Sequence, residues 1–445
     1  MIEDYFQKTV SYERPFFASS KENPNLIVVI PAYAEKAHLF KTLSSLAENP
    51  AKDLEHTLVL CVINNESSAD SQTRENNAQT MRYLHALIRQ ENVSTLSAAD
   101  DLKEALLHLS RSPLRIGYID ASSAGHEIPD RDKGAGTARK IGMDMALRLL
   151  WPSCGKKGII ASLDADTQVL PNYLASLRDA HSGADEEAFV IDYAHVLPSD
   201  PFLAEAICNY EIFLRYYVLG LALAGSPYAY HVMGSAMAVT AGVYLAVRGM
   251  NRRAAGEDFY FLNKIAKVCS VKRIRSTQVF PAARVSNRVP FGTGASMRKS
   301  VGKGETTWRV YHPEVFIILS RWLNGVKRII FHGGGTTEEI VTEAEAIHPV
   351  LFNFLTERKF PRAWERICFH AQDPRLKIRR FHEWFDAFQT LKFIREMHRA
   401  VYPMVRIEEA WPMVAHEIAF RFDLPGEVIP EGRDAFKLLN FLRRW

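Results

Sequence analysis

Two carboxylates separated by one residue follow a short apolar run in the 445-residue chain. Residues 159–163 have the length and composition of a buried strand, and Asp164 and Asp166 come directly after it. Alternate residues of an extended segment point the same way, so both carboxylates can face one site. Two such charges are costly unless a cation lies beside them, and a hard divalent ion bound with a substrate diphosphate would supply it. An acidic turn that caps the next helix is the ordinary alternative.

The elements that would position this pair alternate between strand and helix. Three further apolar runs predict buried strands, at 26–30, 57–63 and 114–119. Helical spacing of leucines follows the first run, and a glycine-rich stretch opens another helix before residue 150. This alternation favours an α/β fold with a mostly parallel sheet and helices on both faces. The carboxyl ends of its strands form the edge where such sheets bind ligands.

The character of the chain changes near residue 305. Beyond it strand-like runs become rare, and amphipathic stretches rich in aromatic and basic residues predominate. A chain of this length also exceeds one ordinary core. We therefore predict an α/β domain over residues 1–305 and a mainly α-helical domain over 306–445.

Composition narrows the functional classes. Apolar residues make up 47% and charged residues 24%, which is typical of a globular protein. A net charge of +4 gives no case for nucleic acid as a partner. Five cysteines without a CxxC pair fit reduced thiols better than disulfides or a zinc site.

Two further features bear on location. The first residues lack the basic and apolar regions of a signal peptide, and the apolar window 218–229 is too short to span a bilayer. We expect a cytoplasmic protein with at most peripheral contact at the inner face of the membrane. The basic stretch 375–380 is a candidate for that contact, although a solvated face of a helical bundle explains it as well.

Five short motifs occur in a recognisable order. They are Val-Ile-Pro-Ala-Tyr-Ala-Glu at 29–35, Asn-Asn-Glu-Ser-Ser at 64–68, Lys-Gly-Ala-Gly-Thr-Ala-Arg at 133–139, Leu-Asp-Ala-Asp at 163–166 and Gly-Glu-Asp at 256–258. This order resembles the family 2 glycosyltransferases over roughly residues 26–265. The resemblance implies the GT-A fold, a nucleotide-sugar donor and a hydroxyl acceptor that is a sugar, a lipid-linked molecule or a small molecule. The Gln-x-x-Arg-Trp motif of processive members is missing, so we expect one sugar to be added per encounter.

The resemblance also implies a donor site. Its predicted residues lie in four of the motifs: Pro31, Tyr33, Glu35, Asn64, Asn65, Lys133, Arg139, Asp164 and Asp166. The family commonly has an aspartate that binds the base where this chain has Asn64 or Asn65, which leaves the base open. Asp166 would ligate Mn²⁺ or Mg²⁺ bridging the diphosphate, with Asp164 on the ribose or the water shell of the metal. A further metal ligand is often a histidine, for which His312 is a candidate.

On the acceptor side, the resemblance assigns a loop of small residues and an acidic pair. Gly234 and Ser235 lie in the loop, and Glu257 would position the acceptor. Asp258 would be the general base, because a carboxylate can take the proton of an attacking hydroxyl. An acidic pair favoured by the helix dipole is the alternative. Inversion is favoured, but retaining enzymes share this fold.

Several matters stay open at this level. A loop with Arg284, Arg288 and Gly292 is predicted to contact anions over the donor. A sugar nucleotidyltransferase and a non-catalytic sugar- or nucleotide-binding scaffold are the alternative functions. The sequence does not name the sugar, the acceptor or the oligomeric state.

Overall fold

The computed structural model describes residues 2–9, 14–19, 23–96, 98–286, 292–306, 309–333, 335–422 and 429–445. The strands are β1 (Phe16–Ala18), β2 (Leu26–Ala32), β3 (Thr57–Asn64), β4 (Arg115–Ala121), β5 (Ile159–Ser162), β6 (Thr167–Val169), β7 (Ala188–Tyr193), β8 (Met237–Thr240), β9 (Val271–Pro281), β10 (Arg309–Val310) and β11 (Val405–Arg406). The helices of the first three hundred residues are α1 (Ile2–Thr9), α2 (Lys36–Ala47), α3 (Ala51–Leu54), α4 (Ser71–Arg89), α5 (Asp100–Arg111), α6 (Ala135–Cys154), α7 (Tyr173–Ala180), α8 (Pro201–Leu223), α9 (Ala241–Ala246), α10 (Glu257–Ile265) and α11 (Thr293–Lys303). The later helices are α12 (Pro313–Phe331), α13 (Thr337–Ile347), α14 (Pro349–Glu357), α15 (Phe360–His370), α16 (Pro374–Trp384), α17 (Ala387–Ala400), α18 (Ile407–Phe422) and α19 (Ala435–Arg444).

One sheet contains β1 to β9, in the order β1-β4-β3-β2-β5-β8-β7-β9-β6. The block β4-β3-β2-β5 is parallel, as is the pair β7–β9. The remaining pairs of this sheet are antiparallel. The four apolar runs singled out in the sequence become β2 to β5, so their prediction as buried strands is confirmed.

Helices cover both faces of the parallel block. Val28 and Ile30 of β2 belong to a core that includes residues of α2, α4, α5 and α7. Val29 points to the opposite face, where α6 packs closely. A Cβ on Gly142 of α6 would lie 2.3 Å from Val29 and 2.8 Å from Val62, so glycine permits this approach. The predicted α/β arrangement with helices on both faces is confirmed.

The chain divides into two compact units. The described parts of residues 1–196 and 232–282 form the first, which contains the nine-stranded sheet. Residues 197–231, 283–286 and the described part of 292–445 form the second, so α8 groups with the later helices. The predicted boundary between residues 305 and 306 stays a prediction.

The second unit is mainly helical, as predicted for the C-terminal region. Its largest fully buried side chains are Trp322, Trp364 and Trp411. The buried carboxylate of Glu211 in α8 accepts hydrogen bonds from Arg215 at 2.8 Å and from Arg443 of α19 at 2.8 and 2.9 Å. No helix within the described ranges is long and apolar enough to cross a membrane.

Candidate active site

The buried guanidinium of Arg139 joins three residues that are distant in sequence. Arg139 lies in α6 and is 5% exposed. Its Nε donates to Ser162 Oγ at the end of β5 (3.2 Å). Its Nη1 and Nη2 form ion pairs with Glu257 of α10 and Asp164, respectively. The first unit therefore places Asp164, from the predicted donor side, and Glu257, from the predicted acceptor side, on one cation.

Gly234 makes room for this guanidinium. A Cβ at position 234 would lie 2.3 Å from Nη2 and 2.6 Å from Cζ of Arg139. Any larger residue would displace the cation that pairs with the two carboxylates. The next residue, Ser235, is 1% exposed, and its hydroxyl has no hydrogen-bond partner within the described residues. Leaving such a group unsatisfied costs about 1–3 kcal/mol.

Asp258 begins α10 beside this cluster. The preceding Gly256 adopts a left-handed conformation (φ 72°), which turns the chain into the helix. Asp258 Oδ1 accepts a hydrogen bond from the Phe259 amide (2.8 Å). Burial raises the pKa of Asp258; the charge of Arg139 and the Phe259 amide oppose this rise, and Asp164 adds to it. A carboxylate with a raised pKa is a stronger base at neutral pH.

Asp164 and Asp166 differ in what surrounds them. The Asp164 side chain is 36% exposed and is already paired with Arg139. Asp166 is half-buried, and its backbone carbonyl accepts from the Ala282 amide (3.2 Å). Within the described ranges no group of three or more His, Cys, Asp or Glu residues could bind a metal ion. These residues therefore fit a divalent ion only if a substrate supplies further oxygen ligands, as a diphosphate can.

A buried amide connects the loops after β2 and β3. Asn77 of α4 is 1% exposed, and its Oδ1 accepts from the Ala34 amide (3.0 Å). Its Nδ2 donates to the Asn64 carbonyl (3.0 Å) and to Asn65 Oδ1 (2.9 Å). Asn77 is not among the residues that the sequence motifs predict. The available signal was a pair of asparagines, Asn76 and Asn77, in the middle of a helix, where asparagine is a poor helix former.

The predicted nucleotide loop packs against the end of β3. Pro31 is the penultimate residue of β2, and Ala34 has a positive φ of 52°. The Tyr33 hydroxyl donates to Glu66 Oε1 (3.3 Å), and partial burial raises the pKa of Tyr33. Glu35 is buried just before α2. The Tyr33–Glu66 hydrogen bond and the hydrogen bonds of Asn77 thus both hold the loop after β2 against the loop after β3.

The side chains of Asn64 and Asn65 both make local hydrogen bonds. Asn64 Nδ2 donates to the Val62 carbonyl, and Asn65 Nδ2 donates to the Glu66 carbonyl, both at 3.0 Å. Both residues are buried. Their amides are therefore fixed in orientation by the protein itself.

The glycines of segment 133–139 allow another part of the chain's backbone to approach closely. A Cβ at Gly134, whose φ is 119°, would lie 2.4 Å from Ala254 Cα. A Cβ at Gly136 would lie 2.6 Å from the Arg253 carbonyl oxygen, which accepts from the Gly136 amide at 3.1 Å. Lys133 is exposed at the start of the segment.

The remaining candidates are His312 and the loop with Arg284, Arg288 and Gly292. His312, in the second unit, caps α12: its Nδ1 accepts from the Glu314 amide (3.2 Å), and its ring stacks on Tyr402. Arg288 lies outside the described residues. Arg284 and Gly292 belong to the second unit.

No protein-family profile and no curated protein matches this chain. Among solved structures, it is similar to S. aureus TarS 1–349, at 12% identity and a TM-score of 0.38, over 81% of this chain and 90% of that one. The same fragment in complex with UDP-GlcNAc matches at 11% identity, a TM-score of 0.38 and the same coverage. The mannosyltransferase PcManGT from Pyrobaculum calidifontis, in complex with GDP-Man and Mn2+, matches at 12% identity and a TM-score of 0.35, over 99% of this chain and 90% of that one. Likenesses this weak establish no function.

Proposed function

We propose that the chain is a glycosyltransferase of the GT-A, family 2 type, which moves a sugar from a nucleotide-sugar to a hydroxyl acceptor. The observation that carries the proposal is the cluster around Arg139. It brings Asp164, Glu257 and Gly234 together from three separate motifs, next to a carboxylate, Asp258, whose pKa is raised. Five motifs in family order support the same function.

The donor is assigned to the carboxyl ends of β2, β3 and β5. The nucleotide would lie over the loops that Asn77 connects, with Tyr33 beside it. Its diphosphate would lie near Asp166, two residues beyond Asp164 on the segment between β5 and β6. A divalent ion bound there would offset the charge that develops on the departing nucleoside diphosphate.

The transfer step is assigned to Asp258. Its carboxylate takes the proton of the acceptor hydroxyl while that oxygen attacks the anomeric carbon. The bond from this carbon to the diphosphate oxygen breaks on the opposite side, so the configuration inverts. Arg139 holds Glu257, and through it the first turn of α10, so that Asp258 keeps its place.

Ligand binding and turnover separate these roles. Thermal shift with UDP-, GDP-, CDP- and dTDP-sugars, each with and without Mn²⁺, should find at least one donor that stabilises the protein. Asp166→Ala should abolish the Mn²⁺-dependent part of the shift. Asp258→Asn should preserve the shift and remove both transfer and donor hydrolysis.

Three other outcomes would be informative. If no donor in the panel shifts the melting temperature and none is hydrolysed, the enzyme proposal is contradicted. Release of pyrophosphate from a nucleoside triphosphate would favour a nucleotidyltransferase. Donor binding without turnover in wild type, across a panel of acceptors, would favour a non-catalytic scaffold.

A further inference from the structure

Helices α15 and α16 of the second unit pack together through buried aromatic rings. The rings of Phe360 and Trp384 are 4.6 Å apart, and those of Trp364 and Phe381 are 6.4 Å apart. Phe360, Trp364 and Phe381 are each at most 1% exposed. These rings mark the inner faces of the two helices.

Two large apolar side chains of these helices are exposed, close in sequence to the turn that joins α15 to α16. Phe369 is 78% exposed and Leu376 is 37% exposed. Cys368 Sγ, next to Phe369, donates to the Gly335 carbonyl (3.4 Å). Lys377 Nζ, next to Leu376, lies 3.9 Å from where a Cβ on Gly335 would be. Cys368 and Lys377 thus both reach Gly335. We call the exposed parts of the two helices beside them, with Phe369 and Leu376, the α15–α16 surface.

Cations surround this surface. Arg362 and Arg366 precede Phe369 by seven and three residues, which places all three on one side of α15. They are exposed, as is Arg375 of α16. None of these three arginines forms an ion pair within the described part of the chain. Helix α16 carries four cations, Arg375, Lys377, Arg379 and Arg380, and one acid, Glu383.

We propose that the α15–α16 surface binds the surface of an anionic membrane. An aromatic ring inserts at the level of the headgroups, and flanking arginines and lysines pair with anionic lipids. Charge complementarity selects this occupant. A second copy of the chain, meeting this surface with its own, would bring like charges together and be repelled. The proposal does not depend on the transferase function.

Co-sedimentation of the full chain with vesicles tests the proposal. Vesicles of phosphatidylcholine alone are compared with vesicles containing about one-third phosphatidylglycerol. We expect binding to the anionic vesicles that weakens with salt, and little binding to the neutral ones. Phe369→Ser should weaken binding about tenfold, since one exposed aromatic ring no longer inserts.

Phe420→Ser provides the matched control, because Phe420 is 80% exposed on α18, outside the defined surface. It should bind as wild type does. The double variant Arg366→Gln/Arg375→Gln should bind more weakly, with a smaller dependence on salt. Each of these side chains is exposed, so the variants are expected to fold.

Three results would overturn the proposal. The first is equal binding to neutral and anionic vesicles, and the second is unchanged binding by Phe369→Ser. The third is concentration-dependent self-association in the absence of vesicles that Phe369→Ser removes. That result would assign the surface to a second copy of the chain.

Discussion

Replacing Arg139 with methionine should destabilise the first unit strongly. The side chains of Arg139 and Glu257 are 6% and 5% exposed, so the variant leaves a carboxylate buried without the cation that pairs with it. Breaking a buried ion pair from one side costs about 3–5 kcal/mol. Methionine is long and apolar and fills much of the same space. The loss of stability therefore comes from the unpaired charge more than from a cavity.

The dependence of this loss on pH follows from the same charge. Without Arg139, the folded protein favours the protonated form of Glu257 more than the unfolded chain does. Stability is then greatest where the carboxyl is protonated and falls as pH rises from about 4 to about 7. Urea unfolding at both pH values measures the free energy of unfolding of wild type and variant. The difference between these two free energies should be larger at neutral pH.

Two companion variants separate charge from packing. Glu257→Gln alone should cost much less, because Arg139 keeps Asp164 and Ser162 as partners. Arg139→Met combined with Glu257→Gln should recover part of the stability, since no ionised glutamate is then buried. A loss below about 1 kcal/mol for Arg139→Met, the size of an exposed pair, would refute the reasoning. So would a double variant no more stable than Arg139→Met.

Three more predictions concern single positions. Asn77→Leu should weaken nucleotide binding about tenfold or more, because it removes three buried hydrogen bonds to the donor loops. Asn76→Leu loses one hydrogen bond from the Lys36 amide and should weaken nucleotide binding less. Isothermal titration calorimetry compares the two variants. Asp258→Asn should raise the melting temperature at neutral pH, since the folded protein raises the pKa of Asp258. This gain should vanish as pH falls below about 4, where the carboxyl is neutral in wild type too. A gain that persists in acid would contradict burial of the charge. Gly136→Val should lower the melting temperature by displacing the Arg253 carbonyl, and an unchanged value would show that the backbone there moves freely.

The parallel half of the sheet could be predicted from the sequence, whereas the other half could not. Strands β2 to β5 are continuous apolar runs, because both faces of a parallel sheet are covered by helices. The strand β9 alternates buried and exposed residues with several cations, and it pairs with β7 in a register that shifts at Ile191 and Asp192. Such a pattern does not reveal its partner, because pairing between distant strands is decided by tertiary packing.

The candidate site shows the same limit at the level of single charges. The family resemblance placed both Lys133 and Arg139 in the donor site. It could not show that the guanidinium has carboxylate partners 25 and 118 residues away. With both partners in place, Arg139 contributes little net charge to a diphosphate. That charge would then be met by other groups, among them the exposed Lys133 and an ion on Asp166. Donor binding should consequently depend on Mn²⁺ more steeply in Lys133→Gln than in wild type, and equal dependence would return the phosphate role to Arg139.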